Sequence, residues 1–260
     1  MAHCSLKIAL ALVWAFVLAG CAETDLGPPA RSGISTAAFA HAAPRSETWQ
    51  SLEELPWPQG GQRTQQNYEE ARRIFWKSLY QDGGTDLYCG VTFKADRSTS
   101  MLQPMSVEHV YPADAIAETE PGCTNRTCAA GRVQRAMADL QNLWPALQKV
   151  NSSRSRLRYG MLAQTIKPRF PEFCPAFRRG IGTAAVVEPR DEVKGDVARS
   201  IVYMHFVYGL PLEEAVNDRN LLLTWMANDP PDAEETRRNA LIAQIQGTAN
   251  PLLDAAFSGM

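Results

Sequence analysis

Two mostly apolar segments that carry polar side chains at fixed points constrain this chain more than any other feature. Residues 106–113 place Glu108 and His109 side by side, and residues 139–146 are followed closely by Asn151. Carboxylate and carboxamide oxygens hold hard divalent cations, and a neutral imidazole accepts a proton from water. The two segments together therefore predict the site of a metal-assisted hydrolase.

The backbone expected around these residues limits how such a site can form. Residues 107–111 predict a short strand that is ended by a proline. Neighbouring side chains on a regular strand point to opposite faces, so Glu108 and His109 share one site only at an irregularity or at a loop edge. A helix predicted to open at residues 144–147 carries Asn151 near its end. The span therefore predicts a strand–loop–strand–helix unit.

The remaining elements predict a small sheet with flanking helices. Asp232 is the expected N-cap of the last helix, and Gly247 is its expected stop. These patterns predict an α+β domain over residues 66–256. The helical stretches are 66–79, 193–208, 221–226 and 232–246, and a second β-rich run covers 87–93.

The first 20 residues have the pattern of a lipoprotein-type signal peptide. An apolar run too short to span a bilayer follows Lys7 and ends in Leu-Ala-Gly before Cys21. Cys21 is then the lipidated first residue of a cell-envelope lipoprotein of the outer membrane or periplasm. The alternative is an ordinary secretory signal cleaved near residues 38–40, which gives a periplasmic or secreted protein. Residues 21–65 are rich in Ala, Gly, Pro, Ser and Thr and predict a flexible tether.

Export places the remaining cysteines in an oxidising compartment. Cys89, Cys123, Cys128 and Cys174 allow three pairings into two disulfides. Cys123 and Cys128 close a short loop, so we expect that pair and therefore Cys89 with Cys174. A zinc site is the weaker alternative, because the spacings differ from those of zinc knuckles and no histidine is close in sequence.

Charge is unevenly distributed along the chain. The net charge is only -2, but residues 121–180 contain eleven Lys or Arg against Asp139 and Glu172, a net +9. An arginine-rich segment in an otherwise acidic chain suits phosphate recognition, because guanidinium forks match phosphate oxygens. The alternative is a solvated basic face that is balanced by acids elsewhere in the fold.

His109 is the histidine best suited to catalysis. His3 lies in the predicted signal and His41 in the predicted tether. His205 lies on an apolar helix, where we expect a structural role. Only His109 adjoins a carboxylate within a polar motif.

Over residues 66–254 the chain resembles the endonuclease I family, the non-specific periplasmic and extracellular bacterial nucleases with a ββα-metal (His-Me) finger. The resemblance implies an α+β fold built on that finger, with flanking helices and a small mixed sheet. The motifs that carry it are Glu-His-Val-Tyr-Pro-Ala at 108–113, Tyr-Cys-Gly at 88–90, the segment 139–146, Val-Asn at 150–151, Glu-Pro-Arg at 188–190, the segment 194–199, Gln-Gly at 246–247 and Asn-Pro at 250–251.

The resemblance also implies roles for the candidate residues. His109 is the expected general base, and Glu108 and Asn151 are the expected ligands of Mg²⁺ or a similar cation such as Mn²⁺ or Ca²⁺. Arg126 is the expected phosphate-binding residue. Arg132 is its reserve, because the spacing of the arginine within the cysteine-bounded loop differs by one from that of the family.

Two further residues are expected to support the site. Asn142 ties the finger together by hydrogen bonds, and Asp139 is a structural residue with an arginine as its candidate partner. The chain departs from the family pattern at three places: Cys-Gly-Cys is Cys-Gly-Val at 89–91, Asp-Leu-His-Asn has Gln141 in place of the histidine, and Gln-Gly-Asn-Arg-Asn-Pro lacks its arginine-bearing pair at 248–249. None of these departures removes the catalytic set.

These features predict an exported, metal-dependent, sequence-non-specific endonuclease that hydrolyses DNA, with RNA left open as a second substrate. We expect a monomer that contacts the phosphate backbone and is held at a membrane by its N-terminal lipid. Two alternatives stay open: a catalytically inactive, lipid-anchored nucleic-acid-binding protein, and a metal phosphohydrolase of small phosphate esters.

Overall fold

Short strands and helices alternate along residues 48–254, the part of the chain that this computed structural model describes. The mixture of helices and small sheets confirms the predicted α+β class. The predicted signal peptide, the lipidation site at Cys21 and the tether up to residue 47 lie outside the described residues. The helices are α1 (Trp49–Glu53), α2 (Tyr68–Ile74, continued by a π-helical turn at Phe75–Leu79), α3 (Ala113–Glu118), α4 (Gly131–Met137), α5 (Gln148–Arg154), α6 (Lys194–Tyr208), α7 (Asn220–Asn228) and α8 (Ala233–Gln246).

Within residues 48–254 the strands form three small sheets. Two of the sheets are antiparallel pairs, β1 with β2 and β3 with β4, and the third has the order β5-β8-β7-β6 with β5 and β8 parallel. The strands are β1 (Gly83–Thr85), β2 (Thr92–Lys94), β3 (Met105–His109), β4 (Leu143–Leu147), β5 (Arg158–Tyr159), β6 (Pro168–Phe170), β7 (Cys174–Arg179) and β8 (Val186–Glu188).

Strands β3 and β4 and helix α5 form a continuous unit. The two strands pair antiparallel, and α5 begins at the residue that follows β4. The prediction that a helix begins at residues 144–147 is therefore wrong, because these residues belong to β4 and the helix begins at Gln148. All five residues of β4 are buried, and Trp144 lies 3.9 Å under the Arg238 guanidinium. Because both faces of this strand are covered, its sequence is a continuous apolar run that cannot be told from a buried helix by periodicity.

The strand that carries Glu108 and His109 is regular. Its pairing with β4 runs without a shift from Met105 opposite Leu147 to His109 opposite Leu143. The backbone irregularity allowed for here is absent, and the strand instead ends at His109. The second possibility, a loop edge at this point, is the one that the structure adopts.

The second predicted strand, at 87–93, is wrong for most of its length, because a buried carboxylate holds a turn there. Asp86 accepts hydrogen bonds from the backbone N–H groups of Cys89 (2.5 Å) and Leu147 (2.9 Å). Gly90 follows with a φ of 68°, a backbone conformation that favours glycine. Within the run 87–93, only the last two residues are extended, and they belong to β2.

Residues 48–65 belong to the folded domain, so the prediction of a flexible tether is wrong for these residues. Leu52 is fully buried and Trp57 is 7% exposed, and the Trp57 ring stacks on Phe206 with 4.8 Å between ring centroids. Gln62 is also fully buried, and its amide donates to the Arg135 carbonyl at 2.8 Å. The polar composition of this segment hides its docking, because a few buried side chains are enough to hold an irregular segment against the domain.

Both expected disulfides are present. Cys89 is joined to Cys174, which ties the turn at Asp86 to β7, and Cys123 is joined to Cys128. The zinc alternative is therefore wrong for these four cysteines.

The C-terminal helices follow their predicted bounds closely. The Asp232 side chain accepts from the Glu235 N–H at 2.8 Å, and Gly247 ends α8 with a φ of 75°. His205 has the structural role expected of it, because its Nδ1 lies 2.7 Å from the Leu210 carbonyl oxygen. Within residues 48–254 no helix combines the length and apolar character needed to cross a membrane.

The buried Asp86 predicts a pH-dependent stability. Burial raises the pKa of Asp86 to about 6, above the ~3.9 of an unfolded chain. Between these values the folded state keeps a proton that the unfolded state has lost, so this contribution to stability falls as the pH rises. From pH ~4 to pH ~7 the wild type should lose on the order of 2–3 kcal/mol of unfolding free energy more than Asp86→Asn does. Urea titration at the two pH values measures the difference.

The matched control is Asp82→Asn at a neighbouring exposed carboxylate, which should keep the wild-type pH dependence. If the wild type and Asp86→Asn lose equal stability over this range, Asp86 does not hold the buried proton.

Candidate active site

Four of the predicted site residues line one cleft of about 1170 Å³. Glu108 and His109 come from the end of β3, Asn151 from α5 and Arg126 from the loop between Cys123 and Cys128. Glu108 and Asn151, more than 40 positions apart in the chain, lie close together because α5 follows β4 directly and packs against β3.

His109 is held in the form that accepts a proton. Its Nε2 lies 2.9 Å from the Met137 carbonyl oxygen, and a carbonyl can only accept, so the proton is on Nε2 and the lone pair is on Nδ1. The Tyr68 ring packs beside the imidazole, with 4.8 Å between ring centroids. Burial lowers the pKa of His109 to about 4, against the smaller opposing effect of the Met137 carbonyl. The ring is therefore neutral at pH 7.

Glu108 is almost completely buried, and only one of its oxygens is held. Oε1 accepts from the Tyr88 hydroxyl at 2.8 Å and lies 3.0 Å from Arg154 Nη1. Tyr88 in turn shares a hydrogen bond of 2.6 Å with the Tyr159 hydroxyl. Oε2 accepts no hydrogen bond from the residues at 48–254. Burial raises the pKa of Glu108 to about 7, and Arg154 and Tyr88 oppose this shift.

Arg154 is a site residue that sequence reasoning missed. Its side chain is 1% exposed, and besides Glu108 it donates to the carbonyls of His109 (2.9 Å) and Val110 (2.5 Å). In the sequence it stands out only as one charge of the basic segment 121–180. Its spacing of three residues after Asn151 puts both on one face of α5, and this is the signal that could have identified it.

The orientation of the Asn151 amide is fixed by its neighbours. Nδ2 donates to the Val107 carbonyl at 3.0 Å and to Ser106 Oγ at 3.1 Å. Because the carbonyl can only accept, the nitrogen must face β3. No donor within the described range bonds to Oδ1, so this oxygen is available to a ligand.

The donors in the cleft fit a hydrated divalent cation. Glu108 Oε2 and Asn151 Oδ1 are hard oxygen donors, and Mg²⁺ is commonly held by one or two protein oxygens while it keeps several waters. In the part of the chain that the structure describes, no three His, Cys, Asp or Glu side chains are grouped to hold a metal ion. A cation in the cleft would thus rely on the carboxylate and amide pair.

Arg126 supplies a positive charge at the cleft wall. Its backbone N–H donates to Asp114 Oδ1 at 2.9 Å, which fixes the loop. Its exposed guanidinium has no carboxylate oxygen within 4.0 Å among residues 48–254. Arg132, the reserve candidate, lies outside the cleft lining and donates to the Tyr208 carbonyl at 2.9 Å.

The two supporting residues are fully buried beneath the site. Asn142 Oδ1 accepts from the Tyr111 N–H at 2.6 Å, and its Nδ2 donates to the Tyr111 carbonyl at 3.0 Å. Asp139 accepts from the hydroxyls of Tyr203 (3.1 Å) and Tyr208 (2.7 Å) and from the Gln246 amide (2.8 Å). The expected arginine partner is wrong, because neutral donors satisfy this carboxylate. Burial raises the pKa of Asp139.

Comparison with known proteins identifies one family. Its model, Endonuclease I, matches residues 62–256. An extracellular deoxyribonuclease of Aeromonas hydrophila is 26% identical over 196 residues, which cover 68% of this chain and 83% of the relative. Endonuclease-1 of Buchnera aphidicola subsp. Acyrthosiphon pisum (strain APS) is 27% identical over 183 residues, which cover 68% of this chain and 69% of the relative.

An extracellular ribonuclease of Bacillus amyloliquefaciens is 34% identical over 133 residues, which cover 45% of this chain and 43% of the relative. All residues that line the cleft lie inside the span matched by the family model. The resemblance carried by the motifs is therefore confirmed, and the chain belongs to the endonuclease I family.

Proposed function

We propose that this protein is an exported, divalent-metal-dependent endonuclease that hydrolyses phosphodiester bonds of DNA, and of RNA, without reading sequence. The observation that carries the proposal is that three residues lining one cleft each keep a carboxylate oxygen, an amide oxygen or an imidazole nitrogen without a hydrogen-bond partner among residues 48–254. These belong to Glu108, Asn151 and His109. Relatives named as extracellular deoxyribonuclease and extracellular ribonuclease support the two substrates.

The unit formed by β3, β4 and α5 supports a ββα-metal finger as the core of the fold. The two strands place Glu108 and His109 at one end of the pair, and α5 contributes Asn151 across it. The bonds from the Asn151 amide to Ser106 and Val107 fasten the helix to the first strand. This arrangement gives a rigid frame to a site with few protein ligands.

The chemistry assigned to the cleft is hydrolysis of a phosphodiester. His109 Nδ1 accepts a proton as a water oxygen forms its bond to phosphorus and the bond to the leaving oxygen breaks. The Arg126 guanidinium donates hydrogen bonds to the non-bridging phosphate oxygens. Glu108 and Asn151 are positioned to hold Mg²⁺ or a similar cation, which when bound supplies positive charge against the charge that builds on the phosphate and leaving oxygen.

Binding without sequence preference follows from contacts to phosphates alone. Arg126 and Arg156 line the cleft, and Arg156 is bonded to Glu118 at 2.6 Å. Phosphate contacts fix a nucleic acid in place but carry no base information. The affinity is therefore expected to weaken as salt increases.

Export is supported by relatives named as extracellular or periplasmic. We propose a lipoprotein-type signal at residues 1–20 with Cys21 lipidated, so that a monomeric nuclease domain is held at the cell envelope. An unlipidated periplasmic or secreted form is the alternative, and intact-mass measurement of the purified protein separates the two.

Removal of the metal should abolish turnover, and removal of the His109 imidazole should slow it strongly. Plasmid nicking by the wild type in Mg²⁺ is expected to disappear in EDTA, and His109→Ala should lower the rate by about 10³-fold, the contribution of a positioned general base. The matched control is His205→Ala, outside the cleft, which should keep the wild-type rate.

Two outcomes would contradict this account. If the wild type and His109→Ala retard DNA equally and neither nicks it, the protein is a nucleic-acid-binding protein without turnover. If a chromogenic phosphate monoester is turned over faster than duplex DNA, it is a phosphohydrolase of small esters.

The role of Arg126 in phosphate binding has its own test. Arg126→Ala should lower kcat/KM for plasmid DNA by about 100-fold, which is the effect of losing one donor to a charged transition state. Arg237→Ala removes an equal charge from a side chain that is paired with Glu234 at 2.7 Å and is absent from the cleft lining. Equal rates for the two variants would exclude a specific role for Arg126.

A further inference from the structure

A second hollow of about 550 Å³ is lined by three arginines. We call it the arginine hollow, and its lining includes Arg63, Arg132 and Arg135 together with Tyr208. None of the residues that line it is acidic. It shares no lining residue with the active-site cleft.

The charges of the arginine hollow are largely uncompensated. Arg132 is held by the Tyr208 carbonyl at 2.9 Å and lies 3.7 Å from the Glu120 carboxylate. Arg63 and Arg135 have no carboxylate oxygen within 4.0 Å among residues 48–254. Three guanidinium groups that share one concave surface repel one another and create a positive potential. Such a surface suits an anion with several oxygens.

The arginine hollow and the cleft are lined by different faces of α4. Arg132 and Arg135, three residues apart on one face of α4, line the hollow, whereas Gln134 and Met137 on another face line the cleft. A helix is about 10 Å across. The two sites are therefore neighbours on the protein surface, separated by this one helix.

We propose that the arginine hollow is a second phosphate-binding site for the same polynucleotide whose scissile phosphate lies in the cleft. The proposal rests on the nuclease function proposed above. The guanidinium forks contact backbone phosphates on the far side of α4. The occupied hollow extends the contact between protein and substrate without adding any base recognition.

The salt dependence of binding tests this proposal. A fluorescent duplex of about 16 base pairs is titrated with wild type and with Arg63→Ala/Arg135→Ala in EDTA, between about 0.05 M and 0.2 M salt. Loss of two phosphate contacts should reduce the slope of log K against log salt by about 2. The affinity advantage of the wild type should consequently shrink by about ten-fold across this range.

The matched control removes the same charge elsewhere. Lys77 and Lys94 are exposed and line neither the cleft nor the hollow, so Lys77→Ala/Lys94→Ala should keep the wild-type slope. Circular dichroism checks that the variants are folded. Should the double arginine variant be unfolded, Arg63→Glu at an exposed position replaces it and should also lower the slope.

Three outcomes are distinguishable. A lower slope for the arginine variants alone supports the second site. Slopes equal to that of the wild type, or equal changes in the lysine control, overturn it while nicking by the wild type still stands. If the wild type neither binds the duplex nor nicks plasmid DNA, the proposed nuclease function fails, and the second site fails with it.

Discussion

The buried ion pair between Glu108 and Arg154 is the interaction on which the rest of the site depends. Both residues are 1% exposed, and an unpaired charge at such a position would cost several kcal/mol. The pair is completed by the Tyr88 hydroxyl on Glu108 and by the two backbone carbonyls that accept from Arg154. These bonds hold one carboxylate oxygen, whereas the other accepts no hydrogen bond within residues 48–254.

The same ion pair links the frame of the fold to the site. Arg154 ends α5, and the carbonyls that it bonds belong to His109 and Val110, where β3 ends. The helix is thereby anchored to the strand at both the Asn151 amide and the Arg154 guanidinium. The His109 imidazole sits between this anchor and the Met137 carbonyl, so its orientation depends on backbone that is already fixed. Such preorganisation is what a site with few ligands requires.

Much of the fold could be predicted from the sequence where local patterns decide it. Helix α8 has a capping aspartate and a terminal glycine, and its bounds are those expected. The sequence of β4 predicts a helix because burial on both faces removes the alternation that identifies a strand. The composition of residues 48–65 predicts a tether because two buried anchors, Leu52 and Trp57, are too few to outweigh the polar residues.

The residue types of the candidate site could be predicted from the sequence, but the hydrogen bonds and ion pairs between them could not. Glu108, His109 and Asn151 were identified from their motifs, and they line one cleft. Arg154 was missed because a charge count cannot tell a buried arginine from an exposed one. The partners of Asp139 were also missed, since they come from α6 and from the end of α8, more than 60 residues away in the chain. Long-range contacts of this kind leave no local pattern.

The most direct test of the central claim is a crystal structure of the protein with Mn²⁺, whose position anomalous scattering identifies. The account predicts one ion bonded to Glu108 Oε2 and Asn151 Oδ1, with Oε1 still held by Arg154 and Tyr88. An ion bonded to Oε1 with Arg154 displaced, or an ion outside the cleft, would contradict it.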